Sequence, residues 1–220
     1  DTVVTQELRD GAGTLRERAV TITSDNGRFE TSTLDVDGNG TIDRSTVLAE
    51  AMNGTRVVTE SSYASNGSLQ AQVEVETSGN GLSQVMREDR DGDGLDDYLT
   101  DRTTVLNADG SQTETSLRRA ADNSVISTEV KTTSDDGLTV EVEQDIDNDG
   151  VFETRFVETK SVAQDGTVTA TASTFATGYH IIGSGNVTPE LTTTLVNKTT
   201  VVTSGDGKTV TTSSDINGDT

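Results

Sequence analysis

Residues 137–153 read GLTVEVEQDIDNDGVFE, and this stretch holds both halves of the pattern from which the fold is read. The first half alternates. Leu138, Val140 and Val142 fall on one side of an extended backbone, and Thr139, Glu141 and Glu143 on the other, which is the two-residue period of a pleated strand. The second half is an acidic loop, with carboxylates at Asp145, Asp147, Asp149 and Glu153 around a glycine at 150. Glycine supplies the tight turn there, and β-branched residues resume beyond it. SLQAQVEVET at 68–77 alternates in the same way through Leu69, Ala71, Val73 and Val75.

Outward from this stretch the chain repeats. The acidic loop recurs as DVDGNGTID at 35–43 and DRDGDGLDD at 89–97, and in shortened form as DINGDT at 215–220. The first aspartates of the four copies lie 54, 56 and 70 residues apart. A glycine-initiated run precedes each copy (NGRFETSTL, NGLSQVMRE, DGLTVEVEQ, DGKTVTTSS), and a longer run ending in a turn follows each full one (STVLAEAMNG, TTVLNADG, ETKSVAQDG). Asn-Gly, Asp-Gly or a close relative marks turns near 26, 53, 66, 80, 109, 123, 136, 165 and 206; between strand-like runs these are hairpin signals. With the acidic loops counted, each unit of about 55 residues has four strands.

The organisation expected is therefore a partial repeat at 1–44, repeats at 45–98 and 99–154, and a last repeat at 155–220 with an insertion at about 172–198. The insertion holds Tyr179, the single histidine His180 and the single proline Pro189, and reads as a specialised loop or a linker. The fold class expected is all-β: tandem antiparallel β-hairpin or meander repeats with calcium-binding turns, arranged as thin stacked sheets or sandwich-like units. A β-solenoid and a β-propeller are the alternatives. The nearest helical candidate, around Leu117 to Ala121, is short and sits between turn signals. The chain does not begin with Met and is expected to be part of a longer array.

Composition narrows the classes further. Of 220 residues, 30% are hydrophobic and 3% aromatic, with no Trp and no Cys. That is too little apolar material for a large core. Low hydrophobicity with high charge is also the signature of disorder, but one proline and alternating Val/Thr runs favour strands. The formal net charge of −22 disfavours nucleic acid and anionic membranes as partners and favours cations. No apolar stretch approaches the roughly 20 residues of a membrane-spanning helix, so membrane insertion is not expected. Without cysteine there is no disulfide, and a metal is the staple that remains.

The acidic loops suit Ca²⁺, which takes six to eight oxygen ligands with flexible geometry. Side-chain oxygens at loop positions 1, 3 and 5 can wrap the ion, position 6 is the turn glycine, position 7 offers its carbonyl, and position 9 adds a carboxylate. The candidate ligands are Asp35, Asp37, Asn39, Thr41 and Asp43; Asp89, Asp91, Asp93, Leu95 and Asp97; Asp145, Asp147, Asp149, Val151 and Glu153; and, in the shortened copy, Asp215, Asn217 and Asp219. Zn²⁺ would want His or Cys, and Mg²⁺ seldom uses an all-protein cage. The alternative is a set of plain acidic turns, since Asp and Gly are ordinary turn formers; three full copies in register favour the metal. The EF-hand is a poor match, because its position-12 Glu is replaced by Thr46, Thr100 or Phe156.

The loops resemble the DxDxDGxxD calcium hairpins of integrin-type propeller blades. That resemblance covers nine residues per repeat and implies a bidentate role for Asp43, Asp97 and Glu153. Over nearly the whole chain, the acidity, the Val/Thr strands and the periodic loops resemble the repeat regions of large secreted bacterial calcium-binding proteins of the RTX and adhesin group, exported by type I secretion. The RTX nonapeptide is absent, so its β-roll is not implied. The resemblance implies a calcium-stabilised stalk, extender, fibre or matrix segment, outside the cell or on its surface. Separately, a thin core leaves strand edges exposed, from which self-association into fibres or arrays is expected. The alternative function is an adhesive module for glycan, protein or ice, with Tyr179 and His180 as its place to look. An enzyme is not expected: acids that recur in every unit read as ligands, and His180 has no nucleophile partner in the pattern.

Overall fold

The computed structural model describes residues 1–180 and 190–218. The fold is all-β, and the described residues contain fifteen strands and no helix. They are β1 (Thr2–Arg9), β2 (Leu15–Thr23), β3 (Phe29–Asp35), β4 (Arg44–Glu50), β5 (Arg56–Tyr63), β6 (Leu69–Thr77), β7 (Ser83–Asp89) and β8 (Tyr98–Leu106), then β9 (Gln112–Ala120), β10 (Val125–Thr133), β11 (Thr139–Asp145), β12 (Thr154–Val162), β13 (Val168–His180), β14 (Glu190–Thr203) and β15 (Val210–Asp215). Two compact units divide the chain: Asp1–Thr103 with Arg118–Ser124, and Thr104–Leu117 with Val125–Thr220.

Within the first unit, β1 to β8 form an antiparallel meander in which every strand pairs with the next. In the second, β10 to β15 do the same. All nine turn signals fall at turns between consecutive strands. In each, an Asn or Asp side chain accepts the amide two residues on, as Asn53 does from Thr55 and Asp109 from Ser111 (both 3.0 Å). This closes the turn locally and sets the register of the hairpin.

The alternatives give way to pairing. A solenoid needs parallel neighbours, and the ladders are antiparallel. Propeller blades need a break in pairing every few strands, yet β3–β4, β7–β8 and β11–β12 stay hydrogen-bonded across each acidic loop. The stacked or sandwich-like arrangement is also corrected: among the described residues no hydrophobic side chain is buried, so neither unit has an apolar layer between sheets. The register supplies the reason. Directly opposed residues share a face. Val142 faces Phe156 but also Lys131, while Glu143 faces Val130 and Arg155, and Glu141 faces Val157. β11 alternates, but it is out of phase with β10, and β12 carries Phe156 and Val157 side by side, so both faces become mosaics.

Polar cross-strand pairs fill those mosaics. Arg87 donates to Glu74 (3.1 Å), Gln144 to Glu129 (2.7 Å), Arg155 to Glu141, and Ser45 meets the Tyr63 hydroxyl at 3.2 Å. Each contributes about 0.2–1 kcal/mol, so the backbone ladders and tight turns carry a large share of the cohesion.

Two further expectations change. The helical candidate at 117–121 belongs mostly to β9. The insertion is strand where it is described: Ala172–His180 extends β13 and Glu190–Lys198 extends β14, with a register shift between Thr174 and Phe175. The run of alternating Thr and Ala simply continues the pleat. Tyr179 and His180 pair through their backbones with Leu191 and Glu190; Pro189 lies outside the described residues. No helix among those residues is long and apolar enough to cross a membrane.

Candidate metal sites

Each acidic loop joins two paired strands, and one plan recurs in all three. The first aspartate ends a strand and is buried beneath its loop: Asp35, Asp89 and Asp145 are 6%, 5% and 4% exposed. In the first two loops a pair of backbone amides converges on it, and in the third Asp145 accepts the Gly150 amide at 3.0 Å. Asp35 accepts from Gly38 (2.7 Å) and Gly40 (2.8 Å), and Asp89 from Gly92 (2.7 Å) and Gly94 (2.9 Å). Such a ring of N–H groups favours a fixed negative charge. At Asp35 burial pushes the carboxyl pKa up, but the amides of Gly40, Gly38, Asp37 and Asn39 outweigh it and hold the group below its ordinary value.

The side chains at positions 3 and 5 accept amides two residues ahead. Asp37, Asp91 and Asp147 accept from Asn39, Asp93 and Asp149; Asn39, Asp93 and Asp149 accept from Thr41, Leu95 and Val151. The position-9 acid closes the loop by accepting the amide of position 2: Asp43 from Val36 (2.7 Å), Asp97 from Arg90 (2.7 Å), Glu153 from Ile146 (2.8 Å). These bonds leave other carboxylate oxygens to face one another. Oxygens of Asp35, Asp37 and Asp43, of Asp89, Asp91 and Asp93, and of Asp145, Asp147, Asp149 and Glu153 each come within 4.8 Å of one another. Three clusters of carboxylates are thus tight enough to hold a metal ion, and their all-oxygen chemistry suits a hard divalent cation.

Asp97 accepts the Arg90 amide as its counterparts Asp43 and Glu153 accept theirs, but it is not among the three carboxylates that converge in the second loop. Asn39 lies beside Asp37, to which its Nδ2 donates at 2.9 Å. Thr41, Leu95 and Val151 sit in their loops with amides committed inward. In the shortened copy, Asp215 accepts from the amides of Asn217 (3.2 Å) and Gly218 (2.9 Å), the start of the same plan. Asp219 lies outside the described residues.

One feature at the second loop escapes pattern reading. Glu88, buried immediately before the loop, accepts from Arg90 (2.7 Å) and pairs with Arg118 (3.3 Å). Both guanidiniums also lie over the Tyr98 ring, 4.6 and 4.3 Å from its centroid, within cation–π range. Arg90 at position 2 and Tyr98 directly after the loop were visible signals. Arg118 comes from β9, more than twenty residues away, so only folding reveals it.

No family model matches this chain, and no curated protein matches it in sequence.

Proposed function

We propose that this chain is a calcium-stabilised β-repeat segment that acts mechanically, as a stalk, extender, fibre or matrix element of a secreted or surface-exposed bacterial protein. The convergence of carboxylates at three strand-joining loops carries the reading. Like charges at that spacing repel unless a cation lies between them, and each loop joins two paired strands. Calcium at the loops therefore bears directly on the ladders, in units that bury no hydrophobic side chain among the described residues. The charge of −22 and the absence of cysteine suit a polyanion that folds where calcium is plentiful. Weak extracellular sites bind at roughly 10⁻⁴–10⁻³ M.

Far-UV circular dichroism with thermal melting, from chelator to about 10 mM Ca²⁺ and with Mg²⁺ at equal ionic strength as control, tests this across the range of weak sites. Strand signal and melting temperature should rise with Ca²⁺ and much less with Mg²⁺. A chain equally structured and equally stable in chelator would overturn the reading.

A further inference from the structure

We infer that the third acidic loop, Asp145–Glu153, fills with cation first and at the lowest concentration, and that Asn148 is the residue responsible. This rests on the cation reading above but concerns an order among the loops that their shared motif does not contain.

The first two loops have glycine at position 4. Gly38 and Gly92 lie so close to the starts of β2 and β6 that a Cβ on either would overlap the carbonyl oxygen of Leu15 or Leu69. Their amides are the ones that reach Asp35 and Asp89. The third loop has Asn148 there, at φ 59°. Its Cβ forbids so close an approach, and its Oδ1 instead meets the Thr128 hydroxyl at 3.4 Å. Asp145 keeps only the Gly150 amide, on Oδ2 at 3.0 Å. Its Oδ1 is buried and accepts no hydrogen bond, although Asp145 is 4% exposed.

A buried carboxylate oxygen without a donor is costly, and a cation removes the cost. Two further observations point the same way. Four carboxylates converge at the third loop and three at each of the others. The second loop also has a guanidinium of its own at Arg90, and Asp96 in the same loop pairs with Arg87 at 3.9 Å. Position 2 of the third loop is Ile146. Ligand charge and preorganisation set affinity among such loops. Here the unmet demand is greatest at Asp145, whereas Asp35 and Asp89 are already satisfied by the backbone.

The test is an amide-resolved NMR titration of the whole chain with CaCl₂, following Gly40, Gly94 and Gly150, each of which donates to the first aspartate of its loop. Gly150 should reach its midpoint at about tenfold lower calcium than the other two, the scale expected from one unpaired buried oxygen. Asn148→Gly suits the positive φ, so the fold is kept. It should raise the Gly150 midpoint toward that of Gly94 and leave Gly40 and Gly94 unmoved. If Gly150 responds together with the others or after them, or if Asn148→Gly leaves its midpoint in place, the inference is wrong while the calcium reading stands. If none of the three amides responds, both fall.

Discussion

The second and third acidic loops share a motif and differ in how they meet their own charge. At 89–97, two glycines let backbone amides saturate Asp89, and Arg90, Glu88, Tyr98 and Arg118 form a neighbouring network that brings guanidinium charge to the loop. At 145–153, Asn148 withdraws one amide, Ile146 brings no charge, and Asp145 keeps an unpartnered buried oxygen. Equal motifs therefore do not mean equal sites. Whether a loop is self-sufficient depends on one position-4 side chain and on the residues that flank it.

Calcium removal should have the largest effect. A ligand at a hundredfold its Kd stabilises by about 2.7 kcal/mol per site, so chelation should lower the melting temperature sharply. Amide exchange should accelerate more at Gly150 than at Gly94; equal acceleration would erase the contrast between the loops. Next comes Gly92→Ala. It places a Cβ against the Leu69 carbonyl at positive φ and should cost roughly 2 kcal/mol or more in chemical denaturation. The damage should be local to the second loop, with the calcium midpoint at Gly150 unchanged.

Glu88→Ala ranks third. It removes a buried acceptor shared by two guanidiniums and should cost about 1–2 kcal/mol, measured by urea unfolding. With Arg90 released toward the carboxylates, Gly94 should need more calcium while Gly150 should not. Loss of affinity at both would show that the network does not act on the second loop alone.

The smallest effect per group is in pH. Hydrogen bonds from the hydroxyls of Ser111, Ser124, Ser134 and Ser204, above all, hold the turn carboxyls of Asp109, Asp122, Asp136 and Asp206 below their ordinary values. A carboxyl whose folded pKa is depressed contributes stability that is complete above its unfolded value. That contribution is lost as pH falls through the folded one. In chelator, melting temperature should be flat from about pH 8 to pH 5 and fall below about pH 4. Replacing the four aspartates by asparagine, which can still accept the turn amides, should flatten part of that acid limb. An unchanged limb would place the acid sensitivity outside these four turns, as at Asp10, Asp35 or Asp165, whose carboxyls are also held below their ordinary values.

Much of this molecule can be read from residue order, because its decisive interactions are local. Alternating Val and Thr specify strands, Asn-Gly and Asp-Gly specify the turns between them, and the DxDxDG spacing brings carboxylates together within nine residues, so the meander and the three clusters were legible in the chain. Three things were not, because each depends on which residue faces which across a ladder or a loop. The register between neighbouring strands sets Val130 and Val157 beside Glu143 and Glu141, and it turns the expected apolar face into a mosaic, with no hydrophobic side chain buried among the described residues. The return of β9 brings Arg118 to Tyr98 and Glu88. The closeness of the position-4 backbone to the start of β2 or β6 decides that glycine completes Asp35 and Asp89 while Asn148 leaves Asp145 short of a partner. Periodicity reports the face of a residue within its own strand; register and approach distance belong to pairs of strands and exist only once the chain has folded.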